Sequence, residues 1–297
     1  MKAALNLAEV VPILVMVLGL ASDRVWAAPP SPTVDAANAR ALEIRRPHGR
    51  YVGWVAHGQE REFADALIAK DGSIRIHIGG DDVGTGAIPE AWDQSAQFVG
   101  RLFVRNGFIG ATGRLLGEGC ALPGPTRFCQ SPARVKMRFR IVDGSSSDHL
   151  LASMTVTTGA RVETWQVVLD SWPAYYRSPV SSRLLRGLYS EGTAEFSSYG
   201  ETILDVDAAG RMYFQSPVTG CVGNGRMTPR TMYGVIEVNL RIENCVGRFA
   251  YLNGRYLGLS TFSQSDYWAY DAILRTWLAK PVGAAKPAAI TMWSFPR

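Results

Sequence analysis

The residues best suited to acid–base chemistry near neutral pH are the four histidines, His48, His57, His77 and His149. No pair of them has the His-Glu-x-x-His spacing of a helical zinc site. His77 shares a polar strand face near Asp81 and Asp82, where a general base or a cation site could be assembled. The sequence therefore predicts a polar patch at His77, Asp81 and Asp82, and surface or turn positions for the other histidines.

Strings that resemble known catalytic motifs are incomplete. Gly258–Phe262 lacks the second glycine of a nucleophile elbow. The glycine-rich run Gly79–Gly86 has no following Lys-Ser/Thr, so a phosphate loop is not indicated. The Asp205–Gly210 segment lacks the distal glutamate of a calcium loop and is typical of a hairpin turn. We therefore assign no catalytic residue, cofactor or metal from sequence.

Two kinds of site leave no local signature and stay open. Paired carboxylates of a glycosidase can meet in space from any part of a chain. Tryptophans can line a sugar or hydrophobic-ligand pocket, although core packing is their default in small β modules. The tryptophans concerned are Trp54, Trp92, Trp165, Trp268 and Trp293.

The four cysteines, Cys120, Cys129, Cys221 and Cys245, predict disulfide bonds in an oxidising compartment. Three pairings are possible. The local pairs Cys120–Cys129 and Cys221–Cys245 are favoured because each keeps its bridge within one module. A zinc site is disfavoured, since no pair has Cys-x-x-Cys spacing and no histidine lies close in sequence.

Residues 1–27 are predicted to be a secretory signal peptide, with the uncharged apolar run Val10–Ala21 and small residues at Val25 and Ala27 before a cleavage point. An uncleaved membrane anchor is the alternative, and it is disfavoured because the apolar run is shorter than the roughly 20 residues that a bilayer-spanning helix needs. No cysteine follows for lipidation, so a periplasmic or secreted protein of a Gram-negative bacterium is expected, with no transmembrane segment after cleavage. The net charge is +5, and the cations look scattered along the chain. This disfavours nucleic acid and allows a weak preference for acidic envelope components.

Alternation of apolar and polar residues with period two dominates the rest of the chain. It is clearest in Ile74–Ile78, Val135–Ile141 and Ile236–Ile242, and it indicates strands with one buried face. Turn sequences such as Asp71-Gly72 and Asp207–Gly210 separate alternating runs and predict hairpins. Many short strands at regular spacing favour closed β architectures.

A weak internal repeat suggests two modules. Gly49-Arg50-Tyr51 and the following hairpin are echoed by Gly187-Leu188-Tyr189 and its hairpin. The predicted fold is all-β and mainly antiparallel, with two tandem small β-barrel or β-sandwich modules and one short C-terminal helix. The helix is expected over Tyr270–Leu278, from its i, i+3, i+4, i+7 apolar spacing, and Ile290–Phe295 is expected to be a closing strand. The predicted divisions are a signal peptide at 1–27, a disordered lead-in at 28–40, an N-terminal β module at 41–171, a connector at 172–186 and a C-terminal β module at 187–297.

The ordered glycine, cysteine and strand positions of Tyr176–Glu191, Ile203–Gly210, Thr219–Cys221 and Tyr233–Leu259 resemble a C-terminal module found in uncharacterised two-module β-rich envelope proteins of Gram-negative bacteria, many of them lipoproteins. The resemblance covers about a third of the chain. It implies an architecture and a compartment and no activity.

These features favour an exported envelope binding or interaction protein without catalytic activity, whose partner is an envelope protein, glycan or lipid. One alternative is a periplasmic inhibitor or immunity protein that blocks an envelope-degrading enzyme through a protruding loop, such as Ile78–Pro89 or Leu116–Pro132. A second is a hydrolase with dispersed carboxylates.

Overall fold

The computed structural model describes residues 47–58, 60–79, 95–105, 108–118, 120, 127–143, 148–171, 180–192, 202–217, 219–229, 234–263, 273–281, 283–284 and 286–296. Structural statements below concern these residues. The predicted signal peptide, the lead-in, Asp81 and Asp82 lie outside them.

The described residues form two successive sets of eight strands. The first set is β1 Gly49–His57, β2 Glu60–Ile68, β3 Ser73–Ile78, β4 Ala96–Arg105, β5 Phe108–Gly117, β6 Ala133–Asp143, β7 Asp148–Thr158 and β8 Arg161–Ser171. The second set is β9 Gly187–Gly192, β10 Thr202–Val206, β11 Arg211–Gln215, β12 Val222–Pro229, β13 Val235–Glu243, β14 Gly254–Ser263, β15 Ile273–Ala279 and β16 Ala289–Pro296. Short helices occur at α1 Arg127–Gln130 and α2 Ser182–Leu185, with a 3-10 helix at Gly247–Leu252.

Each set of strands closes into an antiparallel barrel in which chain neighbours pair in order. In the first barrel β8 returns to pair with β1, with Tyr51 opposite Ser171. In the second barrel β16 pairs with β9, with Phe295 opposite Ser190. The expected all-β antiparallel fold with two tandem barrels is therefore confirmed, and closure leaves neither sheet with an unpaired edge.

Alternation places one residue set inside each barrel and the other outside. On β6 the side chains of Val135, Met137 and Phe139 are buried in the first core, whereas Lys136 and Arg138 between them are exposed. The turns also follow the sequence expectation. Gly72 and Gly210 have φ values of 89° and 76°, which glycine adopts without steric cost.

The expected C-terminal helix over Tyr270–Leu278 is wrong, because the described part of that segment is strand β15. All seven residues of β15 are buried, on both faces of the strand. Leu274 and Leu278 point into the second barrel, whereas Trp277 belongs to a separate apolar cluster outside it. Apolar residues on both faces erase the period-two signal, and the remaining pattern imitates an amphipathic helix.

The cluster that covers the outer face of β15 is formed with the first barrel. Residues 44–297 form one compact unit. Within it, Leu67 and Ala69 of the first barrel pack against Val235, Leu259 and Trp277 of the second. Further along, Leu116 packs against Ala279 and Ala289. Outward side chains of β13, β14, β15 and β16 are thus buried where the barrels meet.

Both disulfides join cysteines that are close in sequence. Cys120–Cys129 connects the chain after β5 to α1, and Cys221–Cys245 connects the start of β12 to the end of β13. These are the two pairings that the sequence favoured.

Candidate functional site

His77 lies on the outer face of β3, where the second barrel covers it to 5% exposure. Its Nδ1 lies 2.9 Å from Oε2 of Glu118, at the end of β5. The Thr291 hydroxyl, from β16 of the second barrel, donates to Oε1 of Glu118 at 2.5 Å. The Gln97 amide also donates to that oxygen, at 2.9 Å. The sequence therefore singled out the right histidine, but its described acidic partner is Glu118.

The pKa shifts of His77 and Glu118 both favour the charged forms of this pair. Burial alone would lower the pKa of His77, but the Glu118 carboxylate and a more distant Asp65 outweigh it and raise that pKa above its ordinary value. Burial alone would raise the pKa of Glu118, but His77 and the donors Thr291 and Gln97 lower it. The opposite shifts are what a buried ion pair with satisfied hydrogen bonds produces.

A second buried pair extends this cluster. Asp65 lies directly across from His77 in the strand register and is 1% exposed. Arg50 holds Asp65 through both nitrogens of its fork, with Nη2 at 2.6 Å and Nε at 2.9 Å. Two cations and two anions thus balance at the barrel contact. The cluster is sealed from solvent, so its geometry serves to fix the two barrels in register and offers no access to a substrate.

Among the described residues, the interior of each barrel is filled and leaves no open ligand cavity. The first is filled by large side chains with no exposed surface, among them Phe98, Leu115 and Met154. The second is filled in the same way around Phe214 and Tyr256. An eight-stranded barrel has an interior just wide enough for side chains to fill. A ligand of the described residues would therefore have to bind on an outer surface.

One such surface is a shallow open depression of about 480 Å³ on β12, β13 and β14. Its polar lining consists of Asn224, Arg226, Asn239, Arg241 and Arg255. Arg241 is paired with Glu243 at 2.5 Å, and Nε of Arg255 donates to Asn239 at 3.1 Å. The lining contains no carboxylate and no nucleophile, so the depression fits binding of an anion better than hydrolysis.

A larger cationic surface covers β4 to β7 of the first barrel, and we call it the basic face. We define it by the outward side chains of three adjacent rows, which are Arg101, Phe103, Arg105, Phe108, Thr112, Lys136, Arg138, Arg140, Leu151, Ser153 and Thr155. Five of these are exposed cations and none is acidic. The five cations form no salt bridge with another described residue.

The strand register arranges the basic face in rows. One row runs from Arg101 through Thr112 and Lys136 to Thr155. The next runs from Phe103 through Gly110 to Arg138. From the spacing of residues and strands, the face measures about 14 Å along β6 and about 15 Å across the four strands. It offers a positive surface with hydroxyl groups beside the cations.

Two aromatic side chains interrupt this positive surface. Phe103 is 44% exposed and Phe108 is 51% exposed. The Phe103 ring lies over Gly110, where any Cβ would approach within 2.5 Å of it. The guanidinium of Arg138 lies 4.0 Å from the centroid of the Phe108 ring. Both phenylalanines thus sit among the cations and face solvent.

Sequence reasoning missed the basic face, and its expectation of scattered cations is wrong for this region. The signal was present in Arg134–Arg140, where every second residue is a cation. Counting charges along the chain hides it, because a strand sends alternate residues to one side. β4, which lies on the far side of β5 from β6, adds further cations from about 30 residues earlier in the chain.

Three further observations concern metal binding, membrane-spanning helices and the loops named for an inhibitor. The described residues contain no group of three His, Cys, Asp or Glu side chains placed to hold a metal ion. Among the same residues no helix has the length and apolar character needed to cross a membrane. The loops named for an inhibitor, Ile78–Pro89 and Leu116–Pro132, lie partly outside the described residues, so that hypothesis stays a prediction.

Comparison with known proteins gives little guidance. No family model matches the chain, and no curated protein matches it. One solved structure, a provisionally named outer membrane protein of Bacteroides fragilis, aligns with 87% of this chain and 99% of its own at 10% identity and a TM-score of 0.24. At that TM-score the match implies neither a shared fold nor a shared function.

Proposed function

We propose that this chain is an exported, non-catalytic binding protein of the bacterial cell envelope, which holds anionic envelope components on its basic face. The observation that carries the proposal is the charge of that face. Five exposed cations lie on β4 and β6, which are separated by β5, and no acidic side chain lies between them among the described residues.

Such an arrangement is unfavourable for the protein alone. Like charges repel one another at alternate positions of β6 and across β5 from β4, and the protein gains nothing from them without a counter-charge. A polyanion or anionic surface that covers the face removes this repulsion. Each cation brought near such a surface contributes about 1 kcal/mol at moderate ionic strength. Together the five cations are enough for reversible binding and too few for permanent attachment.

Two independent features of the chain support its export to the cell envelope. The first residues have the pattern of a secretory signal, with the apolar run Val10–Ala21. All four cysteines are paired in disulfides, which persist in oxidising compartments outside the cytosol. An exported protein meets acidic lipids and glycans rather than nucleic acid, so these are the anions proposed as partners.

The remaining polar sites support binding over catalysis. The His77–Glu118 cluster is closed to solvent, and the depression on the second barrel is lined by arginine and asparagine. A glycosidase would need two carboxyl groups facing each other across an open cleft. The described depression has none, so the basic face remains the surface best suited to a partner.

The test is retention of the purified protein on dextran sulfate, with neutral dextran as the comparison. We expect retention on the sulfated matrix only, with elution by salt as the Debye length shortens. The variant Lys136→Gln/Arg138→Gln/Arg140→Gln should elute at a much lower salt concentration. A matched control, Arg183→Gln/Arg186→Gln/Arg211→Gln, removes three exposed cations of the second barrel and should elute like the parent. Equal loss in both variants would reduce the effect to net charge and contradict the proposal.

A further inference from the structure

Building on the proposed function, we infer that the anionic partner of the basic face is a phospholipid bilayer surface. The added observation is the pair Phe103 and Phe108, which are 44% and 51% exposed on the same face as the cations. Among the described residues, no other outward strand face combines two exposed phenylalanines with five cations.

The placement of the two rings matches an interface between headgroups and acyl chains. Phe108 begins β5 and Arg105 ends β4 directly opposite it, so this aromatic lies at one end of the barrel. Arg138 stacks on the Phe108 ring from the neighbouring strand. An apolar ring at the edge with cations beside it lets the ring enter the acyl boundary while the guanidinium groups stay at the phosphates.

A soluble polyanion would contact the cations of the basic face but leave its two phenylalanine rings in water. Sulfated or phosphorylated glycans neutralise cations but offer no hydrocarbon in which to bury two half-exposed rings. A bilayer supplies both, since lipid phosphates lie above acyl chains at the depth that a protruding phenylalanine reaches. The hydroxyls of Thr112, Ser153 and Thr155 between the cations add donors for phosphate oxygens.

The experiment is sedimentation with large unilamellar vesicles that contain either 30% phosphatidylglycerol in phosphatidylethanolamine or phosphatidylcholine alone. We expect binding to the anionic vesicles only. Lys136→Gln/Arg138→Gln/Arg140→Gln should weaken it about a hundredfold, at about fivefold per cation. Phe103→Ser/Phe108→Ser should weaken it at least tenfold through lost apolar burial. The controls are the second-barrel triple variant and Leu188→Ser, which removes a similarly exposed apolar side chain at 44%; both should bind within twofold of the parent.

A second measurement covers the case in which the double serine variant folds poorly. Phe108→Trp keeps an aromatic ring at the same place, and its difference spectrum from the parent should shift to shorter wavelength on anionic vesicles and be quenched by brominated acyl chains. An unchanged spectrum with bound vesicles would show that the ring stays in water and would overturn the inference.

The outcomes separate this inference from the proposed function. Retention on dextran sulfate that depends on Lys136, Arg138 and Arg140, together with no binding to anionic vesicles, would overturn the lipid inference and leave the function standing. Loss of both kinds of binding would overturn both. If Phe103→Ser/Phe108→Ser bound the anionic vesicles as tightly as the parent, the lipid inference would also be contradicted. The two rings would then contribute nothing to binding, as in contact with a soluble polyanion.

Discussion

Replacing the buried Glu118 with glutamine probes the polar cluster that joins the barrels. Glu118→Gln keeps the shape of the side chain and an oxygen that accepts from Thr291 and Gln97. It removes the negative charge 2.9 Å from His77. Without that charge, burial dominates and the pKa of His77 should fall below its ordinary value. The variant should therefore favour a neutral histidine where the parent favours a cation.

The magnitude depends on pH in a defined direction. In the parent the raised pKa of His77 stabilises the fold fully below the unfolded value of about 6.5, and this contribution is lost as pH rises through the folded pKa. In the variant the lowered pKa makes stability rise with pH up to about 6.5. Loss of a charge-assisted buried contact costs about 2–3 kcal/mol near pH 6. The difference between the proteins should shrink toward alkaline pH, by no more than about 1.4 kcal/mol per pH unit.

The assay is urea denaturation of both proteins from pH 5.5 to pH 9. This range lies above the pKa of Glu118. Because that pKa is lowered in the fold, the stabilising contribution of Glu118 is lost only under more acidic conditions. Subtraction removes the titration of all other groups. The control Glu243→Gln cuts a surface pair with Arg241 and should change stability by less than about 0.5 kcal/mol at every pH. A Glu118→Gln difference that is the same at pH 6 and pH 9 would refute the assigned charge state of His77.

Three further stability predictions use the same assay. Asp65→Asn should cost about 3–5 kcal/mol, because it leaves the buried Arg50 without its counter-charge; a cost below 1 kcal/mol would contradict the pairing. Gly258→Ala should cost about 2–3 kcal/mol, since its Cβ would lie 2.0 Å from the Trp277 carbonyl oxygen, and an unchanged urea midpoint would refute that contact. Cys221→Ser/Cys245→Ser removes a disulfide between residues that are 24 positions apart and should cost about 3 kcal/mol. Equal urea midpoints of the parent with and without reductant would contradict this prediction.

Sequence patterns correctly predicted those strands that expose one face to solvent. Val135–Ile141 and Ile236–Ile242 alternate because their outer side chains meet solvent, and both segments are strands. The pattern failed at Ile273–Ala279, where the other barrel covers the outer face and apolar residues occupy both sides. Period-two alternation reports a boundary with water, so it disappears where two modules pack together.

The candidate sites show the same limit. His77 could be singled out from sequence, but its partners Glu118 and Thr291 lie 41 and 214 positions later and come together only through barrel closure and barrel contact. The cations of β6 were visible in sequence as an alternating run. Only the strand register shows that these cations share one surface with Arg101 and Arg105 of β4, across β5.

Hydrogen exchange followed by mass spectrometry, with and without anionic vesicles, tests most directly which surface holds the partner. We expect added protection in 101–112 and 134–140 and no change in 222–229 or 235–243 of the second barrel. Protection confined to the arginine-lined depression on β12 to β14, with none on the basic face, would contradict the account.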